Sequence, residues 1–153
     1  MPRVLLLATT TGYQTRAFGD AAERLGIELV FATDRCHMLE DPWQDSAIPI
    51  RFHDEDGSVA AIVEAARLRR LDGLIALGDR PTVIAARAGA ALDLPFHSPA
   101  AAATARDKQR TRERLRVAGL PVPWFLPSQI DANPRGLATS LTFPCGCRTT
   151  PPA

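Results

Sequence analysis

The sequence concentrates its positive charge in one stretch, residues 106–116, which holds six basic and two acidic side chains. The local net charge is +4, whereas the whole chain carries only +1. If the stretch is helical, it should end at Gly119. Lys108, Arg112 and Arg116 would then lie four residues apart and form one basic ridge. Such a ridge can donate charge-assisted hydrogen bonds to polyphosphate oxygens. A solvated helix face explains the same pattern, and the residues by themselves favour that simpler interpretation.

Polar residues at the ends of predicted strands form a second group of candidates, for substrate binding. Thr10, Thr11 and Gly12 follow a short apolar run and precede a predicted helix, whose first N–H groups can bind an anion. Asp79 follows a later apolar run in the same way. A plain polar turn explains the first group, and a helix cap or a surface ion pair explains Asp79 about as well. The pattern assigns no catalytic residue and no metal ligand.

The elements that position these residues alternate between buried-type strands and amphipathic helices over residues 1–97. This alternation predicts an α/β domain of the Rossmann-like, doubly wound kind, with a parallel sheet and flanking helices. Ligands in that architecture bind beyond the carboxyl ends of the strands. The corresponding loops here are residues 9–13, 33–37 and 78–80.

Three local details of this domain also follow from the pattern. The helical period of the segment before Gly26 places Leu25 on the core side, and Gly26 should end that helix. Ser58 is expected to cap the next helix, after an acidic turn. Residues 48–52 are expected to form an edge strand, because Pro49 cannot donate a hydrogen bond to a central one.

The bulk composition excludes several classes of protein. The chain is 46% apolar and 23% charged, which is typical of a globular protein. Its near-neutral charge argues against a nucleic-acid partner. No apolar run reaches the roughly 18 residues that span a bilayer, and the N-terminus lacks the apolar core of a signal peptide. We therefore expect a cytoplasmic protein without a membrane partner, and its three cysteines, which lack zinc-site spacing, to be free thiols.

The order of residues around the basic stretch carries a family likeness. Ser98 and Pro99 are followed by Asp107-Lys108, then by Arg112-Glu113 and Leu115, and finally by Ala118-Gly-Leu-Pro-Val-Pro123. This order resembles the segment that leads into the ATP-binding core of ATP-grasp enzymes, in particular the amino-acid ligase and carbamoyl-phosphate-synthetase-like branch. The resemblance implies a pre-ATP-grasp domain over residues 1–97. Residues 98–145 would then be linker helices and the first fragment of the ATP-grasp domain.

The same resemblance implies a chemistry. Such enzymes join a small-molecule carboxylate to an amine through an acyl-phosphate, with ATP and Mg²⁺ as cofactors. A basic residue at the position of Lys108 commonly contacts an ATP phosphate in this family. Its members also have a second phosphate-binding lysine shortly after a Phe-Pro-like step, and Arg148 stands at the same number of residues after that step in this sequence. A homodimer is one possible assembly, and the sequence does not determine the oligomeric state.

The pattern changes abruptly after Cys145. Residues 146–153 match neither a strand nor a helix, and we expect them to be a disordered tail. The family's magnesium ligands, adenine pocket and glycine-rich loop have no counterpart in these residues. We therefore expect a truncated or frame-shifted reading of a longer ligase that is inactive by itself. The alternative is a free-standing α/β module that binds a small ligand or a protein without catalysis.

Overall fold

The computed structural model describes residues 1–9, 14–34, 47–129 and 131–146. Within them the chain divides into two compact units, Met1–Ala103 and Thr104–Ala153. The strands are β1 (Arg3–Ala8), β2 (Glu28–Thr33), β3 (Ile48–Pro49) and β4 (Gly73–Leu77). The helices are α1 (Gln14–Leu25), α2 (Glu55–Leu68), α3 (Asp79–Ala91), α4 (Pro99–Arg106), α5 (Lys108–Val117) and α6 (Pro134–Ala138).

The four strands form one parallel sheet in the order β3-β2-β1-β4. Leu5 in the central strand β1 pairs in register with Val30 of β2 and with Leu74 of β4. Leu5, Leu6 and Leu7 are all fully buried, so both faces of β1 are covered. The predicted parallel α/β architecture with flanking helices is confirmed. The predicted edge strand is also present, although β3 is only two residues long.

The apolar core of the first unit lies between the sheet and helices α2 and α3. Ile62 of α2 and Ile84 of α3 are fully buried there, beside Leu5 and Val30. Gly89 lets α3 approach this layer closely. A Cβ atom at that position would lie 3.0 Å from the Phe96 Cβ and 3.3 Å from the Leu74 Cδ1.

Two local expectations were wrong. The cap of α2 is Asp54, whose Oδ1 accepts a hydrogen bond from the Gly57 N–H at 2.9 Å. Ser58 lies inside the helix, where its buried hydroxyl donates to the Arg51 carbonyl at 2.8 Å and accepts from the Arg51 N–H at 3.0 Å. Ser58 therefore ties α2 to the segment after β3. Leu25 is 71% exposed, because α1 ends there and the side chain lies beyond the edge of the core.

The predicted helix ends at Gly26 and Gly119 are confirmed, and both use the same device. Each glycine has a positive φ, 63° and 71° respectively. After α5, the Leu120 N–H donates to the Leu115 carbonyl and the Gly119 N–H donates to the Arg116 carbonyl. After α1, Ile27 and Gly26 make the equivalent pair of bonds. These are Schellman motifs, in which the left-handed residue is one that lacks a Cβ.

Candidate functional site

The sheet has its topological switch point between β1 and β4. The connection from β1 leads to β2 on one side, whereas β4 pairs with β1 on the other. Ala8 and Leu77 are register partners at the carboxyl ends of these strands. Thr9 and Gly78, which follow them, therefore lie at the same edge of the sheet. In open α/β sheets this is the crevice that receives ligands.

The helix that starts at this edge is α3. Its N-cap is Gly78, with a φ of 101°, and the Thr82 hydroxyl donates to the Gly78 carbonyl at 2.7 Å. Asp79 lies in the first turn and is exposed. Asp79 is therefore not the N-cap, and its carboxylate can interact with the helix dipole or with a ligand. Thr10, Thr11 and Gly12, the other predicted residues of this crevice, lie outside the described residues.

A buried hydroxyl ends β2 at the same edge of the sheet. Thr33 is 5% exposed, and its Oγ1 has no hydrogen-bond partner among the described residues. A buried polar atom without a partner costs about 1–3 kcal/mol. The Thr33 backbone carbonyl is satisfied, because it accepts the Ile50 N–H at 2.9 Å. The sequence placed a candidate loop at residues 33–37, and residues 35–37 lie outside the described part of the chain.

The basic helix α5 is present in the second unit and begins at the predicted lysine. Asp107 caps it, since its Oδ1 accepts from the Gln109 N–H at 2.9 Å and from the Arg110 N–H at 3.1 Å. Lys108 opens the helix and is exposed. A cation in the first turn opposes the helix dipole and reduces helix stability, so this lysine does not serve the helix itself. An anion bound at this end would interact favourably with both the lysine and the dipole.

The other two members of the ridge are not simply solvated. The Arg112 guanidinium lies 5.5 Å from the centroid of the Phe125 ring, and the Arg116 guanidinium lies 5.7 Å from it. Both distances are within the range of a cation–π interaction. No sequence pattern predicted this contact, because Phe125 lies in the extended segment after the helix.

Ion pairs in the first unit serve its folding rather than a site. Arg87 of α3 binds Glu55 at 3.4 Å and also Asp56, both in the first turn of α2. The hydrogen bond to Asp56 raises the pKa of Arg87. Arg69 pairs with Glu28 through two hydrogen bonds at the amino edge of the sheet. These contacts join residues too distant in sequence for spacing to predict them.

An open cleft of about 200 Å³ lies beside the edge strand, lined by Pro49, Ile50, Arg51, Asp54, Gly57, Ser58 and Ala61. Two of its polar side chains already form hydrogen bonds within the protein. The Asp54 carboxylate caps α2, and the Ser58 hydroxyl is bonded to the Arg51 backbone. The cleft is therefore a weaker candidate than the switch-point crevice.

Metal-binding and membrane-spanning features are absent from the described residues. In that part of the chain, no cluster of three or more His, Cys, Asp or Glu residues could hold a metal ion. Nor does any of its helices combine the length and the hydropathy that crossing a bilayer requires. Cys145 is a free, exposed thiol. Arg148, the second predicted phosphate ligand, is outside the described residues, as are the other two cysteines.

The family model for the ATP-grasp N-terminal domain matches residues 19–96, which is just over half of the chain. The chain therefore belongs to the ATP-grasp N-terminal domain family. The family resemblance expected from the sequence is confirmed. Members of this family generally use ATP and Mg²⁺.

The chain is similar in fold to the solved structures of a ligase and two synthetases. The chain is 22% identical to the L-amino acid ligase from Bacillus licheniformis, with a TM-score of 0.66, and the match covers 80% of this chain and 32% of that one. The chain is also 22% identical to the phosphoribosylglycinamide synthetase from Anaerococcus prevotii, with a TM-score of 0.55. That match covers 77% of this chain and 29% of that one.

A third structure is the N5-carboxyaminoimidazole ribonucleotide synthetase from Thermus thermophilus, at 22% identity and a TM-score of 0.58. The match covers 90% of this chain and 35% of that one. At this identity the likeness shows the fold alone. The chain spans about a third of the length of each of the three structures. No curated protein matches the chain.

Proposed function

We propose that this chain supplies the N-terminal part of an ATP-grasp ligase that joins a carboxylate to an amine with ATP and Mg²⁺, and that it is inactive by itself. The observation that carries the proposal is the family match over residues 19–96. The order of residues from Ser98 to Pro123, which resembles the amino-acid ligase branch, supports the joining of a carboxylate to an amine. The inactivity of the chain alone is supported by its coverage, which is 32% of that ligase.

Within that enzyme, Lys108 is proposed to contact an ATP phosphate. Its exposed position at the capped start of α5 supports this role, because the helix N-terminus also attracts anions. A cation there stabilises the charge that develops on a transferred phosphoryl group. Arg148 is proposed as a second phosphate ligand. Bound Mg²⁺ would supply further neutralisation of the phosphates.

The substrate is proposed to bind at the switch-point crevice, with Thr10, Thr11, Gly12 and Asp79 as its contacts. The register of β1 and β4 supports this assignment, since it places Ala8 and Leu77, the last residues of the two strands, side by side at one edge of the sheet. An exposed carboxylate at Asp79 suits the amine of a substrate, and hydroxyl or backbone N–H donors suit its carboxylate.

Calorimetric titration of the 153-residue chain with Mg-ATP tests the proposal. We expect no binding in the micromolar range, because the chain covers only part of the matching ligases. A micromolar affinity that is lost in Lys108→Ala would contradict the idea that the nucleotide site of this chain is incomplete. An unchanged affinity in that variant would instead contradict the assigned role of Lys108.

The nucleotide sequence downstream of codon 145 provides an independent test. We expect one of its reading frames to encode a lysine-bearing strand followed by a glycine-rich loop. If no frame does so, the idea that the chain is one part of a longer ligase fails, and a free-standing α/β binding module becomes the better explanation.

A further inference from the structure

The second unit holds two guanidinium groups around one aromatic ring. Arg112 and Arg116 are separated by one turn of α5, or about 6 Å of helix rise. Their guanidinium carbons lie 5.5 Å and 5.7 Å from the Phe125 ring centroid. Arg112 and Phe125 are half-buried, and Arg116 is exposed. Both guanidinium groups therefore lie within cation–π range of the same ring.

The carboxylates of α5 and its cap are engaged elsewhere. Asp107 accepts hydrogen bonds from two backbone N–H groups and pairs with the Arg110 side chain at 3.3 Å. The Glu113 Oε1 accepts a hydrogen bond from the Gln109 side chain at 2.8 Å. Within the described residues, neither Arg112 nor Arg116 forms an ion pair with a carboxylate. The positive charge of the pair is therefore not neutralised by the helix that carries it.

The sequence of the unit adds to this imbalance. Residues 104–153 contain eight basic and three acidic side chains, so the unit has a net charge of +5. Because the whole chain carries +1, the remaining residues are acidic overall. Positive charge concentrated on one unit attracts anions and raises their local concentration.

The contact with Phe125 favours anion binding by the two arginines. Among the described residues, no carboxylate occupies the N–H donors of either guanidinium, so these donors remain available to a ligand. An arginine side chain carries about 2 kcal/mol of rotamer entropy, part of which binding would otherwise cost. The ring has already restricted both side chains, so less entropy remains to be lost when an anion binds.

We propose that Arg112 and Arg116, positioned by Phe125, form an anion-binding pair for a polyphosphate group. Phosphate suits the pair because guanidinium groups donate two parallel hydrogen bonds to its oxygens. The two arginines continue the ridge that starts at Lys108, at four-residue spacing along α5. The inference rests on the proposed nucleotide-binding role of this helix and extends it to two residues and a positioning aromatic ring.

The test is a titration of the 153-residue chain with inorganic tripolyphosphate at low salt, followed by NMR shifts and calorimetry. We expect binding in the millimolar range that weakens as salt is added. Arg112→Gln and Arg116→Gln should each weaken it about tenfold, which corresponds to about 1.4 kcal/mol. The matched control is Arg114→Gln, which removes the same charge from the same helix without touching the ring. It should weaken binding far less.

Phe125→Leu tests the positioning role, since it keeps an apolar side chain but removes the ring. We expect weaker tripolyphosphate binding in this variant with unchanged helix content by circular dichroism. Normal binding in Phe125→Leu would overturn the positioning role. Equal losses in Arg114→Gln and Arg112→Gln would overturn the pair, because any charge on the helix would then serve. Absence of binding in the millimolar range would overturn it as well.

Lys108→Ala separates this inference from the proposed function. If that variant abolishes binding while Arg112→Gln and Arg116→Gln retain it, the arginine pair is refuted and the role of Lys108 stands. If the arginine variants lose binding and Lys108→Ala does not, the pair stands and the role of Lys108 is refuted. Replacing tripolyphosphate with Mg-ATP then shows whether the site requires a nucleotide or accepts the phosphate chain alone.

Discussion

The two units of this chain are stabilised by different kinds of interaction. Every buried hydrophobic residue in the described part of the chain belongs to the first unit, Met1–Ala103. In the second unit, α5 has no buried residue, and large apolar side chains remain exposed, among them Val117 at 85% and Trp124 at 56%. The first unit therefore has the core of an independent domain, whereas the second depends on local contacts.

Electrostatic interactions differ between the units in the same way. The first unit pairs charges across long sequence separations, 31 residues for Arg87 with Asp56 and 41 for Arg69 with Glu28. It has local pairs as well, such as Arg67 with Glu64. The second unit pairs Arg110 with Asp107, three residues away. Long-range pairs report a tertiary structure that has already been fixed by its core. Local pairs form with the helix itself and leave the other cations of α5 available for a ligand.

The largest expected effect comes from truncating the core of the first unit. Ile84→Ala removes a fully buried side chain and should lower the free energy of unfolding by about 2–5 kcal/mol. Val117→Ala, at an 85% exposed position of the second unit, should change it by less than about 0.5 kcal/mol. Urea denaturation of both variants measures the contrast. Similar losses of unfolding free energy in both variants would mean that Val117 is buried in solution and that the two units do not differ in their apolar burial.

A pair of glycine substitutions tests packing within the first unit. Gly89→Ala places a Cβ 3.0 Å from the Phe96 Cβ and should cost about 1–3 kcal/mol of stability. Gly19→Ala lies within α1 with no atom within 4 Å of the added Cβ, and should stabilise by about 0.4–1 kcal/mol. The midpoint temperature of thermal unfolding should therefore fall in Gly89→Ala and rise in Gly19→Ala. A destabilised Gly19→Ala would show that α1 packs more tightly than the structure indicates.

Removing the two aspartate caps compares the same interaction in both units. Asp54→Ala should lower the global free energy of unfolding by about 1 kcal/mol, because α2 packs on the core. Asp107→Ala should instead accelerate amide exchange at the start of α5 with little change in global unfolding. Amide hydrogen exchange measures the local effect at the start of α5, and denaturation measures the global free energy of unfolding. An equal global effect of the two substitutions would show that α5 unfolds together with the core.

The smallest effect is expected from the ion pair between α2 and α3. Arg87→Gln should cost about 0.2–1 kcal/mol, since all three side chains are partly exposed, and added salt should reduce the difference from the unchanged protein. The hydrogen bond to Asp56 raises the pKa of Arg87. The stability that the ion pair contributes is therefore fully present at neutral pH and is lost only as pH rises through that raised pKa. Unfolding measured from neutral to mildly alkaline pH should show no loss attributable to Arg87. A loss in that range would contradict the pairing.

The parts of the fold that the sequence predicted depend on local patterns. Continuous apolar runs indicated the parallel strands, and glycines at positions 26 and 119 indicated the helix ends. The cap of α2 was predicted wrongly because Asp54 and Ser58 are both good capping residues, and only the helix start decides between them. Leu25 was misplaced because the helical period does not tell where the core ends.

The candidate site was predicted less completely. Lys108 was predicted as a phosphate contact from charge and from a family motif, and Asp79 as a substrate contact from its position after a strand; both roles stay predictions. The contact of Phe125 with Arg112 and Arg116 was not predicted, because the course of the chain after α5 is not encoded by a periodic pattern. The same applies to the unsatisfied hydroxyl of Thr33, whose burial depends on its neighbours in the sheet.

The sequence by itself determined the class of this fold, its helix ends and the position of its basic ridge. These properties follow from side-chain period and backbone preference, which act over a few residues. Only the tertiary structure decided that Arg87 binds Asp56, that Ser58 binds the Arg51 backbone, and that a ring holds two arginines of α5. Long side chains have many rotamers of similar energy, so their partners are fixed only when packing brings a specific group within reach.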